Sequence, residues 1–330
     1  METKPTFSKD DIALVCGSAN KKLAKMVAKK LGIRLFPLML HQFSDGTFVP
    51  QFQENIRGKT VIIFQSLYSR KGKEGLFLQE VLLIADAARR ASAKEIIHVC
   101  PYFPGRQDRK DRPRVAISAK AIMNQLVAGG IQRIMTMDLH ADQIQGFADI
   151  PIDHVLGSAL FLPIVKGLNL PDLATASPDA GGGKRMFFYA KCLKTKAVII
   201  CEKVRGKIKE IVDDMLMAGD PNGKNVVLLD DILATGDTLA MAADKMLNAG
   251  AKSVIACITH PMLTKNLNGV SAYKIIEKSN ISKIYVSDSV PLLKKSPKIE
   301  VVSSADLFAN IIWKHLNNMS ISDEFVAREY

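Results

Sequence analysis

Short apolar runs alternate with longer amphipathic stretches along most of this chain of 330 residues. The apolar runs predict strands, and the amphipathic stretches between them predict helices. The predicted strands are 12–16, 61–65, 96–100, 134–138, 197–201, 226–230, 254–258 and 284–286, and the predicted helices are 78–92, 117–128, 238–249 and 305–316. Strands that alternate with helices in this way favour parallel sheets with helices on both faces.

The length predicts two domains, because it is about twice that of a typical single domain. Both halves of the chain have the same strand–helix rhythm. We expect an N-terminal domain at 1–160 and a C-terminal domain at 161–304, with the C-terminal segment 305–330 packed on the first.

The ends and the cysteines indicate the compartment. Residues 1–10 are polar, no apolar run approaches the length of a membrane-spanning helix, and the five cysteines are scattered singly. Three cysteines, Cys16, Cys100 and Cys201, lie in apolar runs and are expected to be reduced, buried thiols. These features predict a cytoplasmic protein with no membrane contact.

The chain is basic, with 45 Lys and Arg against 33 Asp and Glu and a formal charge of +12. Such an excess favours an anionic partner: nucleic acid, an acidic membrane surface or a phosphorylated small molecule. No zinc-finger spacing and no basic stripe with interleaved aromatic residues supports nucleic acid. The position of the charges has to decide between the others.

The segment 226–238 contains the most chemistry per residue. An apolar strand leads to Asp230 and Asp231, and a loop of small residues then enters a helix. Ligands of open α/β sheets bind at this end of a strand. Backbone N–H groups and the hydroxyls of Thr235 and Thr238 can hold a phosphate there, and the acids suit the hydroxyls of a sugar. The alternative is an acidic turn followed by an ordinary helix cap.

This segment resembles the phosphoribosyl-pyrophosphate-binding motif of type I phosphoribosyltransferases and ribose-phosphate pyrophosphokinases. The resemblance implies that Asp230 and Asp231 bind the ribose hydroxyls. It also implies a 5-phosphate loop formed by Ala234, Thr235, Gly236, Asp237 and Thr238. The family usually has Asp in place of Ala234 and Gly in place of Asp237. The Asp237 carboxylate would repel a phosphate unless it points away or caps the helix.

Two further segments favour the pyrophosphokinases over the simple transferases. The run 137–147 contains His140 and follows a predicted strand, and 177–185 places Asp179 before a glycine-rich turn. Taken alone, they are consistent with a structural histidine and a flexible turn. Both are similar to pyrophosphokinase segments, which implies that His140 and Asp179 hold Mg²⁺ and that Asp179 also lies at the ribose site.

The same resemblance implies an ATP site and a catalytic pair. The basic loop 100–112 is similar to the family's nucleotide loop and assigns ATP contacts to Arg106, Gln107 and Lys110; alone, it could be solvated surface. A turn with Phe43, Asp45 and Thr47 matches the one that grips adenine, with Thr47 in place of the usual Glu. Lys203 and Arg205, after the strand 197–201, match the pair that stabilises the transferring pyrophosphoryl group.

Recognisable matches extend from about residue 15 to 302, and we identify the chain as a member of the ribose-phosphate pyrophosphokinase family. Membership implies a type I phosphoribosyltransferase-like α/β fold with two similar domains. It also implies the reaction of ATP with ribose 5-phosphate to give 5-phosphoribosyl 1-pyrophosphate and AMP, and a homo-oligomer, commonly a hexamer. The alternatives are a non-catalytic homologue that regulates an active subunit and, less consistent with the His140 motif, a base phosphoribosyltransferase.

Overall fold

The computed structural model describes residues 7–45, 47–68, 74–105, 113–205 and 212–322, and the side chains of 74, 204, 205 and 212–214 lie outside this description. The described residues form two compact units. The first comprises the described residues up to Leu156 together with those from Ser304 onwards, and the second is Gly157–Ser303.

The strands and helices alternate along the described parts of the chain. The strands are β1 (Ile12–Cys16), β2 (Leu38–Gln42), β3 (Phe48–Phe52), β4 (Thr60–Phe64), β5 (Glu95–Cys100), β6 (Arg133–Met137), β7 (Ile152–Val155), β8 (Leu173–Ser177), β9 (Ala197–Arg205), β10 (Val212–Ala218), β11 (Asn225–Leu233), β12 (Ser253–Pro261), β13 (Lys283–Ser287) and β14 (Ile299–Val302). The helices are α1 (Lys21–Leu31), α2 (Glu74–Arg90), α3 (Ser118–Ala128), α4 (Ser158–Gly167), α5 (Gly183–Leu193), α6 (Asp237–Asn248), α7 (Ala272–Lys278) and α8 (Ala305–Leu316).

The first unit contains a five-stranded parallel sheet in the order β1-β4-β5-β6-β7 and a separate antiparallel pair, β2-β3. Successive residues of β4 point to opposite faces of the sheet, as in any strand. Ile63 packs in one core with residues of α2 and α3. Phe64 meets Phe308 of α8 edge-on, with ring centroids 5.7 Å apart, and α8 also packs on α1. Helices therefore cover both faces.

The second unit contains a seven-stranded sheet in the order β10-β9-β8-β11-β12-β13-β14. Every neighbouring pair is parallel except β10-β9, so only the edge strand β10 is antiparallel. In β11, Val226 and Leu228 pack with α6, while Val227 and Leu229 pack with α4 and α5. A strand buried on both faces has to be apolar throughout, which explains its continuous apolar sequence.

The fold class predicted from the sequence is confirmed. All eight predicted strands and all four predicted helices are present, with ends that differ by a few residues. Three strand ends were wrong. β9 continues to Arg205 because β10 pairs with it, and β11 and β12 continue together to Leu233 and Pro261 because their shared ladder continues. The pair 203/205 therefore begins on a strand instead of following it.

Most of the remaining elements lack the apolar runs on which the prediction rested; α4 is the exception, since it is apolar but contains Pro163, which is unfavourable inside a helix. The strands β2, β3, β7, β8, β10 and β14 and the helices α4, α5 and α7 were not predicted, and α1 also lies outside the four predicted helix ranges. β8 is a central strand with the sequence Leu-Ala-Thr-Ala-Ser. Its small side chains form no apolar pattern that would predict a strand. Its central position depends on pairing with β9 and β11, which are distant in sequence.

Each of the five cysteines is free, as expected; Cys100 and Cys201 are buried, whereas Cys16, at the end of β1, is only partly buried. Burial raises the pKa of Cys16 to about 12 and that of Cys201 to about 11, so both thiols stay protonated and unreactive at neutral pH. No helix in the described part of the chain combines the length and apolar character needed to cross a membrane.

Candidate active site

The strand order of the second unit reverses between β8 and β11. The chain passes from β8 to β9 on one side, and from β11 to β12 on the other. Ligands of open α/β sheets bind in the crevice that such a reversal opens at the carboxyl ends of the strands. The topology therefore predicts a ligand site formed by the residues at the carboxyl-terminal halves of β8 and β11.

Asp230 and Asp231 lie on β11 at this crevice. The ladder between β11 and β8 ends at Leu228, opposite Ala176, whereas the ladder with β12 continues to Leu233. The acids therefore lie inside the strand, at the point where one of its two neighbours has left. The Asp231 N–H donates to Asp230 Oδ1 at 2.9 Å.

The electrostatics of this pair are unfavourable in the free protein. Burial raises the pKa of Asp230 well above its usual range, and the neighbouring carboxylates of Asp231 and Asp179 raise it further. Arg185 acts in the opposite direction. A site that concentrates negative charge in this way is suited to hydroxyl donors and to a cation.

The turn after β8 brings Asp179 to the same edge. Ser177 Oγ donates to the Asp179 carbonyl at 2.6 Å, and Asp179 Oδ1 accepts the Gly182 N–H at 3.1 Å. A Cβ at position 182 would overlap Ser177 Oγ, so glycine is favoured there. Glu202 on β9 accepts the Ala180 N–H at 3.2 Å, which ties the turn to the next strand.

Two cations face these acids. Lys203 Nζ lies 3.9 Å from Asp179 Oδ2, and an Arg185 guanidinium nitrogen lies 3.6 Å from Asp231 Oδ1. Lys203 and Arg185 are each about one-fifth exposed, so both remain accessible from the crevice. The structure thus brings together four of the predicted residues, Asp179, Lys203, Asp230 and Asp231, and adds Arg185.

The predicted phosphate loop joins β11 to α6. Its N-cap is Gly236, whose φ of 87° favours glycine and which has no side chain to bond the first N–H groups of the helix. Leu263 and Thr264 donate backbone N–H groups to the carbonyls of Leu233 and Ala234 at 2.9 and 3.0 Å. The loop is therefore braced from the β12 side, and the N-terminus of α6 can accept an anion.

In the first unit, His140 lies in the loop after β6 and is exposed. The loop begins at Asp138, which is buried and has a left-handed backbone with φ of 40°. The Leu139 N–H donates to His154 Nε2 at 2.9 Å, and His154 Nδ1 lies 4.0 Å from an Asp142 carboxylate oxygen. This contact buries Leu139 and leaves the next residue, His140, at the surface.

The other predicted nucleotide contacts in the described residues lie between β2 and β3. Asp45 Oδ1 accepts both the hydroxyl and the N–H of Thr47, at 2.6 and 2.9 Å, and Phe43 is 57% exposed. The Thr47 hydroxyl, helped by the Thr47 N–H, lowers the pKa of Asp45. Arg106, Gln107, Lys110 and the side chain of Arg205 lie outside the described residues.

Two family models match the chain. Residues 12–130 match the N-terminal domain of ribose phosphate pyrophosphokinase, and residues 194–290 match the phosphoribosyl transferase domain. A ribose-phosphate pyrophosphokinase from Porphyromonas gingivalis is 40% identical over 96% of this chain and 98% of its own length. One from Wolinella succinogenes is 41% identical over 94% and 97%.

The chain belongs to the ribose-phosphate pyrophosphokinase family. A solved phosphoribosylpyrophosphate synthetase from Mycobacterium smegmatis is 31% identical, with a TM-score of 0.86 over 93% of this chain and 99% of that one. The family and the enzyme class predicted from the sequence are thus confirmed, and synthesis of phosphoribosyl pyrophosphate is the activity these relatives support. None of these comparisons favours a regulatory homologue.

Arg185, Glu202 and His154 had no assigned role in the sequence analysis, although each holds a residue or turn of this pyrophosphokinase's candidate site. Arg185 could have been found as the last residue of the 177–185 segment, where a second cation follows the glycine-rich turn. His154 gave no signal, because its contact with Leu139 spans 15 residues.

The acids Asp179, Asp230 and Asp231 fit a magnesium site in which substrate phosphates and water supply the other ligands. No group of three His, Cys, Asp or Glu side chains arranged to hold a metal occurs among the described residues. Mg²⁺ typically binds one or two carboxylates together with substrate phosphates and water. Asp179, with its neighbours Asp230 and Asp231, fits that mode of binding.

Proposed function

We propose that the crevice between β8 and β11 holds ribose 5-phosphate while its C1 hydroxyl attacks the β-phosphorus of ATP. The new bond joins the C1 oxygen to the β-phosphorus, the bond from the β-phosphorus to the α–β bridging oxygen breaks, and AMP leaves. The products are 5-phosphoribosyl 1-pyrophosphate and AMP. The observation that carries this proposal is the position of Asp230 and Asp231 at the strand-order reversal, followed by an uncapped phosphate loop.

Ribose 5-phosphate is bound by opposite kinds of groups at its two ends. Asp230 and Asp231 accept hydrogen bonds from the ribose hydroxyls, with Asp179 at the edge of the same site. The 5-phosphate lies in the loop formed by Ala234, Thr235, Gly236, Asp237 and Thr238. Backbone N–H groups, the two threonine hydroxyls and the N-terminus of α6 stabilise its charge.

Catalysis depends on positioning the substrates and stabilising charge in the transition state, because phosphoryl transfer requires little covalent chemistry from the protein. Lys203 and Arg205 stabilise the negative charge on the transferring pyrophosphoryl group. Lys203 is paired with Asp179 in the free enzyme, which holds the ammonium at the edge of the ribose site. We assign no general base.

ATP binds through Phe43, Asp45, Thr47, Arg106, Gln107, Lys110 and His140. An exposed aromatic ring such as that of Phe43 can stack on a base, and the basic residues match phosphate oxygens. His140 and Asp179 would each contribute a ligand to Mg²⁺, which would supply neutralisation of the triphosphate charge.

The family resemblance also supports a cytoplasmic homo-oligomer, a hexamer by that resemblance, that binds neither nucleic acid nor membranes. The domain bounds 1–160 and 161–304, with 305–330 on the first domain, remain a prediction. Light scattering would test the assembly, and limited proteolysis would test the bounds.

The decisive experiment uses ATP labelled at the β-phosphorus. The purified protein, with Mg²⁺ and ribose 5-phosphate, should transfer the label to phosphoribosyl pyrophosphate and release one AMP for each product. A γ-only transfer would give ADP, and would contradict the assigned bond cleavage. Absence of product over a range of phosphate concentrations would exclude the enzymatic function.

A further inference from the structure

Asp237 places a carboxylate beside the loop that has to bind a phosphate dianion. It is the first residue of α6 and directly follows Gly236. A helix N-terminus stabilises a negative charge, so Asp237 is favourable for α6 itself. The same charge would compete with the ligand for the first N–H groups and repel it.

The structure contains a specific partner for this carboxylate. Asn266 Nδ2 donates to Asp237 Oδ1 at 3.2 Å, although the two residues are 29 positions apart. Both side chains are half-buried. The contact fixes one oxygen of the carboxylate in the direction of the 266–270 turn.

The turn itself determines which end of the Asn266 carboxamide faces Asp237. Asn266 Oδ1 accepts the N–H groups of Asn268 and Val270 at 3.1 and 2.9 Å. Since Oδ1 is occupied by two donors from its own turn, the amide nitrogen is the end that remains for a carboxylate. The Asn266 N–H also donates to the Val270 carbonyl at 2.9 Å, which closes the turn.

The same turn is braced against the phosphate loop. Thr264, two residues before Asn266, donates its N–H to the Ala234 carbonyl, and Ala272 donates to the Thr264 carbonyl at 3.0 Å. Asn266 therefore keeps a fixed position relative to the loop and to the start of α6. A neutral amide on a braced turn can set the direction of the carboxylate without adding charge.

We propose that Asn266 is a positioning residue for ribose 5-phosphate: it holds the Asp237 carboxylate away from the phosphate loop. This inference rests on the proposed function of that loop. Without the amide, the Asp237 side chain can adopt its other staggered rotamers, some of which direct the carboxylate to the loop. Binding of ribose 5-phosphate is then weakened, whereas binding of ATP and the turnover rate are unaffected.

A double-mutant cycle between Asn266→Ala and Asp237→Asn tests this inference. In the wild-type background, Asn266→Ala should raise the KM for ribose 5-phosphate by about tenfold, with kcat and the KM for ATP within about twofold. The rise should shrink at high salt, because like-charge repulsion is screened. In the Asp237→Asn background, the same change should leave the KM nearly unaltered. Asn268→Ala, in the same turn, is the matched control and should behave as wild type.

Calorimetric titration with ribose 5-phosphate measures the same cycle without turnover. An unchanged KM in Asn266→Ala would overturn the proposal, because Asn266 would then not affect binding of the sugar phosphate. An equal rise in both backgrounds would also overturn it, because Asn266 would then act on the shape of the loop and not through Asp237. A wild-type protein that binds the sugar phosphate but makes no product would instead overturn the proposed reaction and leave the cycle readable. Failure to bind the sugar phosphate would overturn both.

Discussion

The loops after β1 and β11 make a useful comparison, because each leads from a parallel strand into a helix. In the first unit, the loop before α1 is occupied by the protein itself. Glu80 accepts the N–H and hydroxyl of Ser18 at 2.9 and 2.6 Å, and Gln65 accepts the Ala19 N–H at 2.9 Å. Gln65 also donates to Glu80 at 2.6 Å, and Glu80 is only 4% exposed.

In the second unit, the corresponding loop has a glycine N-cap, and its nearby acid is turned to Asn266. The sheets differ as well. The described strands of the first sheet follow one another in a single direction, β1-β4-β5-β6-β7, whereas the second sheet reverses between β8 and β11. The same strand–loop–helix geometry is therefore filled by the Glu80 carboxylate in the first unit, whereas in the second unit our proposal assigns it to the phosphate of the ligand.

The largest effect should come from Lys203→Ala in the second unit. Loss of a cation from the transition state should lower kcat by about 10²–10³-fold, with the KM for ATP changed far less. Steady-state kinetics would measure both. Lys196→Ala, an exposed lysine just before the same strand, is the matched control. A kcat near wild type would remove Lys203 from the catalytic role and weaken the contrast between the units.

In the first unit, Glu80→Ala should lower the stability of the fold and leave substrate binding unchanged. Removal of a buried carboxylate leaves the donors of Ser18 and Gln65 without a partner, so we expect a loss of about 2–4 kcal/mol in the free energy of unfolding. Glu80→Gln, which keeps the shape and one acceptor, should lose less. Denaturant unfolding would measure stability, and kinetics should show unchanged KM values below the unfolding range. A raised KM for either substrate in the stable Glu80→Gln variant would break the comparison.

Asp230→Asn should separate binding from stability at the open site. The KM for ribose 5-phosphate should rise by about tenfold, equivalent to about 1.4 kcal/mol. Because the pKa of Asp230 is raised in the fold, its ionised form destabilises the folded enzyme, and stability falls as pH rises from the ordinary Asp value through the raised one. The variant should therefore melt higher at neutral pH and lose this pH dependence. Thermal scans across pH would measure the melting temperatures. A lower melting temperature of Asp230→Asn at neutral pH would contradict the inference that ionised Asp230 destabilises the fold.

The smallest effect should come from Thr47→Val, outside both loops. Loss of the hydroxyl should raise the KM for ATP by less than about threefold, the range expected for a single exposed hydrogen bond. Since Thr47 lowers the pKa of Asp45, its loss should move the acid limb of the ATP binding profile to higher pH. A pH series of KM values would show this. No shift would mean that the ionisation of Asp45 does not contribute to ATP binding.

The sequence by itself determined the α/β class, most central strands, and the acids and loop of the 226–238 segment. Those features are local: an apolar run buried on both faces, and a strand–loop–helix order that can be read within a dozen residues. Only the tertiary structure decided that β9 and β11 extend beyond the predicted ends, because their ladders with β10 and β12 continue.

The tertiary structure also decided which charges meet. Arg185 reaches Asp231, and Asn266 reaches Asp237, through contacts between segments that are 46 and 29 residues apart. Local pattern has no access to such pairs, because a hydrogen bond or an ion pair depends on distance in space, and the sheet order sets that distance. The same holds for Glu80, whose position on α2 gives no sign in the sequence that its carboxylate fills the loop after β1.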